Sequence, residues 1–348
     1  MSVQIISARG LSSEDKLAVS FRLLLGLYSI IPVCLLLQLF DGWFWQSYLR
    51  DNLPSSPSHF LLFQLLFGTP HIIASAIVLV SNTEYLKLYR NNIIYMTIAI
   101  AIVFGIGSLF IPYRVLYISV ACWTVFHVLK QQHGIGRGIC RLPDWAFHLL
   151  LWLSVLAGIL IYIGIFLKNS LDVQQVTWIK QIVSGLCVAL IFAAVMSQRY
   201  APTVFAKWFL WSNVFLVLSS FYLFAQQYYF LAILVPRLVH DATAYIFYVT
   251  HDYNKHHNQP RNFIYRCAAR CNLHVFLVLP LCSFFLAFVL QAYGDGLVNM
   301  ITHFFFGMEI RQAVSVGILG YLGLMHYYTE AFTWKQGSPY RQYIAFTK

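Results

Sequence analysis

The chain has 348 residues, of which 59% are hydrophobic, 17% are aromatic and only 10% are charged. A soluble protein of this length needs many more charged residues to cover its surface. The composition therefore excludes an ordinary soluble globule. It indicates an all-α integral membrane protein, a polytopic bundle of transmembrane helices.

The chain begins with a short polar segment that precedes a long series of apolar runs. Residues 1–19 lack the apolar region and small-residue cleavage site of a secretory signal peptide and are predicted to remain as a cytoplasmic segment. A transmembrane bundle over residues 20–334 and a cytoplasmic tail over 335–348 are predicted to follow. Apolar runs of sufficient length predict about ten spans. These spans lie near residues 20–40, 58–80, 92–111, 113–132, 145–167, 178–196, 205–225, 228–250, 272–293 and 312–333.

The positions of the positive residues predict the orientation of these spans. Most Lys and Arg residues fall on the side shared by both termini, and cytoplasmic loops normally carry that excess. Only Arg50, Arg114, Lys168, Lys180 and Arg311 fall on the other side. Both termini are therefore predicted to be cytoplasmic, with the inner membrane of a bacterium as the expected location. Topology and anionic lipid explain the net charge of +11, so nucleic acid is not predicted as a partner.

Four histidines inside the spans carry the functional signal, because ionisable residues within a membrane usually serve binding, transport or catalysis. They are His71, His127, His240 and His326. Each lies about twelve to fourteen residues into a span that runs inward, which at about 1.5 Å per residue places all four within roughly 3 Å of one depth. Neutral imidazole suits iron, zinc and copper, and helix bundles often build metal sites from facing helices. The four histidines are therefore predicted to hold a metal. Separate hydrogen bonds to neighbouring helices are the alternative.

Two carboxylates follow the histidines closely and are candidate catalytic groups. Asp241 adjoins His240 and lies four residues after Arg237, with which it could pair on one helical face. Glu330 lies one helical turn beyond His326. Asp241 and Glu330 are predicted to orient the histidines or to carry protons, and Glu330 could also bind the metal.

A second group of histidines, His133, His251, His256 and His257, follows two of these spans on the predicted cytoplasmic side. His240 and His251 are eleven residues apart, or roughly 16 Å along a continuous helix, so they cannot share one ion. The second group is a weaker metal candidate, and a solvated basic loop that contacts lipid headgroups is the alternative. The nearby glycines Gly134, Gly136 and Gly138 lack the Lys-Ser/Thr of a phosphate loop and are predicted to end the span that contains His127.

Several short motifs resemble the Brp/Blh family of polytopic bacterial membrane proteins. They are Gly68-Thr-Pro-His71, Phe126-His127 with Lys130-Gln-Gln-His133-Gly134, His240-Asp241 leading to Tyr253-Asn254, and His326-Tyr-Tyr-Thr-Glu330-Ala-Phe-Thr-Trp334-Lys335. Proteins of that family are β-carotene 15,15′-dioxygenases, which cleave carotenoids to retinal with iron held by membrane histidines. The resemblance implies that His71, His127, His240 and His326 are iron ligands.

The sequence thus favours an oxygen-dependent non-haem iron oxidoreductase with a mononuclear or dinuclear centre and a membrane lipid or other lipophilic molecule as its substrate. Cleavage, desaturation and hydroxylation all remain open, and the last two need an external electron donor. A transporter or carrier that uses the same histidines for metal binding or proton relay is the alternative. A scaffold without chemistry would leave the matched depths unexplained. The sequence does not indicate an oligomeric state.

Overall fold

The computed structural model describes residues 16–54, 68–260, 262–310, 313–335 and 337–347. These ranges are almost entirely helical. In chain order the helices are α1 (Phe21–Phe44), α2 (Tyr48–Asn52), α3 (Thr69–Val80), α4 (Thr83–Leu109), α5 (Tyr113–Cys140), α6 (Asp144–Phe166), α7 (Val173–Tyr200), α8 (Val204–Ala225), α9 (Tyr229–His256), α10 (Phe263–Arg270), α11 (Val275–Phe306) and α12 (Leu319–Thr333). A π-helical turn, Ala313–Ile318, precedes α12.

Seven of these helices, α1, α4, α6, α7, α8, α9 and α11, are long and apolar enough to cross a membrane. The predicted all-helical class is confirmed, and the seven helices are consistent with an integral membrane protein. The other predicted spans also coincide with helices where the structure describes them, although 58–67 and 312 lie outside the described residues. Of these further helices, α3 has only 12 residues, α12 has 15, and α5 carries Arg114, Lys130 and Arg137.

The boundary between α4 and α5 falls at Pro112, where the sequence separates two predicted spans. The prediction that the glycines end the second of these spans is wrong, because α5 continues through them to Cys140. Gly136 lies where α5 approaches α8. A side chain at this position would bring its Cβ within 2.8 Å of Asn213 Nδ2, so the glycine serves close helix packing instead of helix termination.

Helix α9 is the centre of the bundle and packs against α1, α3, α5, α8 and α11. Of its most apolar stretch, 67% is buried, the largest share among the seven long apolar helices. Pro236 lies inside this helix and has no N–H to bond the carbonyl one turn earlier. Ser220 of α8 donates to that carbonyl, Ala232 O, at 2.6 Å. The proline is therefore accommodated without an unpaired buried carbonyl.

Helix α4 lies at the edge of the bundle. Only 6% of its most apolar stretch is buried, and its packing partners include α3 and α12. The exposed side chains include Tyr95, Ile98 and Ile102. In a bilayer such a surface would contact acyl chains, so this stretch of α4 is held by few protein contacts.

A short parallel sheet joins the two ends of the described chain. Strand β1 (Ala18–Ser20) pairs with β2 (Ala345–Thr347), with Ala18 opposite Ala345. Asn254 near the end of α9 supports the pair: its amide donates to Leu17 O and Tyr343 O at 2.8 and 2.7 Å, and its Oδ1 accepts from Leu17 N at 2.8 Å. Both ends are therefore fixed at the same end of α9, although the sequence predicts only tails there.

Candidate metal centre

Four different helices supply the four histidines that the sequence singles out. His71 lies in the first turn of α3, and His127, His240 and His326 lie in α5, α9 and α12. Pro70 precedes His71 at a position where a helix tolerates proline, because the first N–H groups have no partner within the helix. All four imidazoles are buried, at 8% exposure or less. The folded chain thus collects four buried histidines from segments that are distant in sequence.

The four imidazole rings form a closed cycle in the interior. Ring centroids lie 5.5 Å apart for His71 and His240, 4.8 Å for His240 and His127, 5.2 Å for His127 and His326, and 4.8 Å for His326 and His71. Neighbouring rings meet edge to face, at interplanar angles between 67° and 89°. We call these four residues the histidine cluster. Its compactness agrees with the common depth that the helical spacing predicts.

Two buried carboxylates flank the histidine cluster, each beside two of its members. Asp241 Oδ1 is 3.5 Å from His71 Nδ1 and 3.9 Å from His240 Nε2. Glu330 Oε2 is 3.0 Å from His127 Nε2, and Glu330 Oε1 is 3.9 Å from His326 Nε2. Both sequence-predicted carboxylates are therefore within reach of the histidines, and each is positioned to orient a ring or to bind the same ion.

The donor atoms converge closely enough to hold a metal ion. His71, His240 and His326 each offer one nitrogen within 4.8 Å of the others, and His127, His326 and Glu330 form a second such group. The two groups share His326, so the cluster could hold one ion or a close pair. Nitrogen donors with one or two carboxylates suit iron, zinc or copper better than magnesium or calcium.

Unpaired lone pairs provide an independent test of the fit to a metal. Both ring nitrogens of His240, Nε2 of His326 and both oxygens of Asp241 are buried and make no hydrogen bond to the described residues. Buried polar atoms without a partner are rare, because each costs about 1–3 kcal/mol of desolvation. A bound cation would accept the lone pair of one ring nitrogen of His240, of His326 Nε2 and of an Asp241 oxygen, and so remove much of that cost. The residues present therefore fit a metal.

Charged and polar neighbours fix the two carboxylates. Arg237 Nη2 is 3.6 Å from Asp241 Oδ2. Tyr248 OH donates to Glu330 Oε1 and lies 3.4 Å from His326 Nδ1, and Gln131 Nε2 is 3.5 Å from Glu330 Oε2. Arg237 thus supplies the positive charge that a buried Asp241 needs, while Tyr248 occupies one oxygen of Glu330 and leaves the other facing His127.

Sequence reasoning missed Tyr248, Gln131 and Tyr327 as members of this site. The ring of Tyr327 lies 4.6 Å from that of His127, and its hydroxyl accepts from Thr124 at 3.1 Å and from Arg237 at 3.5 Å. A usable signal exists for Tyr248, which follows His240 by eight residues and so lies on nearly the same helical face. Gln131 likewise follows His127 by four.

The structure does not bring the second group of histidines into the cluster. His133 contacts Ser154 Oγ at 2.9 Å, His251 contacts Tyr85 OH and Asp252 at 2.8 and 3.0 Å, and the rings of His256 and His257 stack on Tyr265 and Tyr253. Among the described residues, none of the four belongs to a group that could hold a metal. Their aromatic and hydrogen-bonded contacts indicate structural roles, between α5 and α6 for His133 and at the end of α9 for the other three.

Tyr265 of α10 illustrates this structural role. Burial raises the pKa of the Tyr265 hydroxyl well above its usual value, and the nearby carboxylate of Asp252 adds to the effect. The hydroxyl therefore stays protonated and donates to Asp252 Oδ2. Asp252 lies in the last turns of α9, where it also contacts His251. The hydrogen bond from Tyr265 therefore connects α10 to the end of α9.

Comparison with known proteins adds no relative: no protein-family model, curated protein or solved structure matches the chain.

Proposed function

We propose that the chain is an integral membrane oxidoreductase that uses dioxygen and non-haem iron to modify a lipid-soluble substrate. The histidine cluster carries this proposal, because four buried imidazoles from four helices converge beside two buried carboxylates, and the ring nitrogens of His240 and Nε2 of His326 make no hydrogen bond to the described residues. Iron bound there would supply the activation of dioxygen. The apolar surroundings favour a lipophilic substrate over a water-soluble one.

The protein's own residues have distinct roles in this proposal. His71, His240 and His326 hold iron, and His127 with Glu330 completes the same centre or a second one beside it. Tyr248 keeps the Glu330 carboxylate in place through its hydrogen bond and leaves Oε2 able to hold a proton beside His127. Arg237 places a positive charge beside Asp241, which lies next to His71 and His240. Burial of the histidines, Asp241, Tyr248 and Glu330 excludes bulk water from the reaction.

The same proposal includes a relationship to the Brp/Blh family. It is supported by the arrangement of His71, His127, His240 and His326 around one centre, which is what the sequence resemblance implies for the iron ligands. Carotenoid-like cleavage is then one of three possible reactions, beside desaturation and hydroxylation. Cleavage by a dioxygenase needs no external electrons, whereas the other two reactions do.

Oxygen uptake by the iron-loaded protein tests this function. We expect uptake when a total membrane lipid extract containing carotenoids is added, and loss of uptake in Glu330→Gln, whose neutral amide cannot take the proton. A reductant requirement would indicate hydroxylation or desaturation, and uptake without one would indicate cleavage. Iron binding without lipid-dependent uptake would contradict the enzyme and favour the alternative of a metal or proton carrier, for which the Arg237–Asp241 pair inside α9 is the supporting observation.

We further propose ten spans, formed by the seven long apolar helices together with α3, α5 and α12, with both termini cytoplasmic in a bacterial inner membrane. The pairing of β1 with β2 supports an even number of spans, since it holds both chain ends at one end of the bundle. Single cysteines are introduced into a cysteine-free variant of the protein, and intact cells that express it are treated with an impermeant maleimide. We expect the reagent to label Lys168→Cys but not Ser338→Cys. The reverse labelling would contradict this orientation.

A further inference from the structure

A pocket lies between α3, α4 and α12 and reaches the histidine cluster. Its empty space is about 470 Å³, including the part that opens outward, and His326 forms part of its wall. Val80, whose side chain is 61% exposed, lies at its rim. The pocket therefore connects the outer surface of the bundle to one of the candidate metal ligands.

The lining of this pocket is apolar and contains no charged side chain. Ile72, Ala76 and Leu79 of α3, Ile93 of α4 and Met325 of α12 supply most of the wall. Of the three hydroxyl groups in the wall, those of Ser75, Tyr321 and Thr329, two are already engaged: Tyr321 bonds Thr97 at 2.9 Å, and Thr329 donates to His326 O at 3.1 Å. A carboxylate or phosphate would meet no cation here, so burying it would be unfavourable.

The outer wall of the pocket is α4, whose most apolar stretch is the least buried among the seven long apolar helices. Leu86 and Ile93 of α4 line the pocket, and only 6% of the most apolar stretch of α4 is buried. Outward movements of this apolar stretch would therefore break few protein contacts, whereas the end of α4 near Tyr85 is anchored by the contact of its hydroxyl with His251. The pocket also adjoins the turn between α3 and α4, which faces the cytoplasmic leaflet in the proposed orientation.

A second pocket in the bundle provides a contrast. It lies among α5, α6 and α8, has about 330 Å³ of empty space including the part that opens outward, and is lined by Val125, Gly158 and Ile161 among others. None of the four clustered histidines lines it. Of these two apolar spaces, only the one beside α4 gives a ligand access to His326.

We propose that the pocket between α3, α4 and α12 is the substrate-binding site and admits a neutral hydrocarbon chain from the cytoplasmic leaflet past α4. This inference rests on the proposed function and specifies its substrate class. The chain lies along the apolar wall with the carbon to be modified beside His326. A charged headgroup would remain at the membrane surface.

Photo-cross-linking in liposomes tests this site without any metal. The probe is a neutral long-chain alkane that carries a diazirine at mid-chain, and the labelled residues are mapped by mass spectrometry. We expect labelling of Leu79, Met325 or Thr329, suppressed by excess hexadecane. Ala76→Trp should reduce labelling by at least about tenfold, which corresponds to 1.4 kcal/mol, because the indole fills the pocket.

Ala189→Trp is the matched control, since Ala189 is equally half-buried but lies on α7, away from the pocket. It should leave the labelling unchanged. Labelling confined to outward-facing side chains, or labelling that Ala76→Trp does not reduce, would overturn the proposal. Because iron content is measured separately, the pocket and the metal centre can fail independently.

Discussion

Replacement of both His71 and His240 by alanine should abolish iron binding. We expect near-stoichiometric iron in the wild-type protein after anaerobic loading and at least about a tenfold lower content in the double variant, because each lost ligand weakens binding by more than about 1.4 kcal/mol. Three clustered nitrogens, from His71, His240 and His326, are the donors that this substitution disrupts. Elemental mass spectrometry of the detergent-purified protein measures the result.

A second double variant controls for histidine number. His148→Ala with His303→Ala also removes two imidazoles, but both are exposed and lie outside the cluster. Its iron content should equal that of the wild type. A wild-type protein that takes up no metal would contradict the proposed centre and leave proton relay or helix packing as the role of the histidines. Zinc in place of iron would keep the site and overturn the oxygen chemistry, because zinc is not redox-active, whereas copper would overturn only the identity of the metal.

Loss of the Arg237 guanidinium should strongly destabilise the metal-free protein. Arg237 is the cation that faces the buried Asp241 at 3.6 Å, and the Asp241 side chain is only 1% exposed. Removing one partner of a buried ion pair leaves an uncompensated charge and typically costs about 3–5 kcal/mol. Arg237→Met should therefore lower the thermal unfolding midpoint in detergent markedly. Adding Asp241→Asn should restore much of it.

Metal loading gives this experiment a second readout. A cation at the histidine cluster would itself compensate Asp241, which lies 3.5 Å from His71. The destabilisation by Arg237→Met should therefore shrink when iron is bound. The control Arg199→Met, at an exposed arginine whose guanidinium contacts the Tyr200 hydroxyl, should change the midpoint little in either state. Equal midpoints for Arg237→Met and wild type would show that Asp241 does not depend on Arg237.

Hydropathy and helical spacing together predict much of this fold and its site. An apolar run forms a helix through local bonds alone, so the positions of α6, α8 and α9 follow closely from the sequence. The common depth of the four histidines follows from the fixed rise of a helix. The choice of neighbouring helices depends on packing between distant segments, however, and no short stretch of sequence shows which segments will pack together.

The missed features depend on such long-range contacts. The pair β1 and β2 has three residues in each strand, and neither segment shows a strand pattern on its own. Gly136 appeared to be a helix terminator because its contact, Asn213, lies in another helix. The histidines at the end of α9 similarly contact tyrosines: His251 contacts the Tyr85 hydroxyl, and two further imidazoles stack on Tyr253 and Tyr265. The spacing of the histidines alone does not show these contacts.

The pairing of β1 with β2 also constrains the order in which the protein assembles. Residues 18–20 leave the ribosome long before residues 345–347, so β2, and the Tyr343 carbonyl that accepts from Asn254, are made only after α10, α11 and α12. Contacts of such large sequence separation form late, since the intervening chain must first be ordered. His326 lies on α12, so the histidine cluster is completed in the same late phase. Both candidate metal-binding groups include His326, so neither is complete until nearly the whole chain has been synthesised.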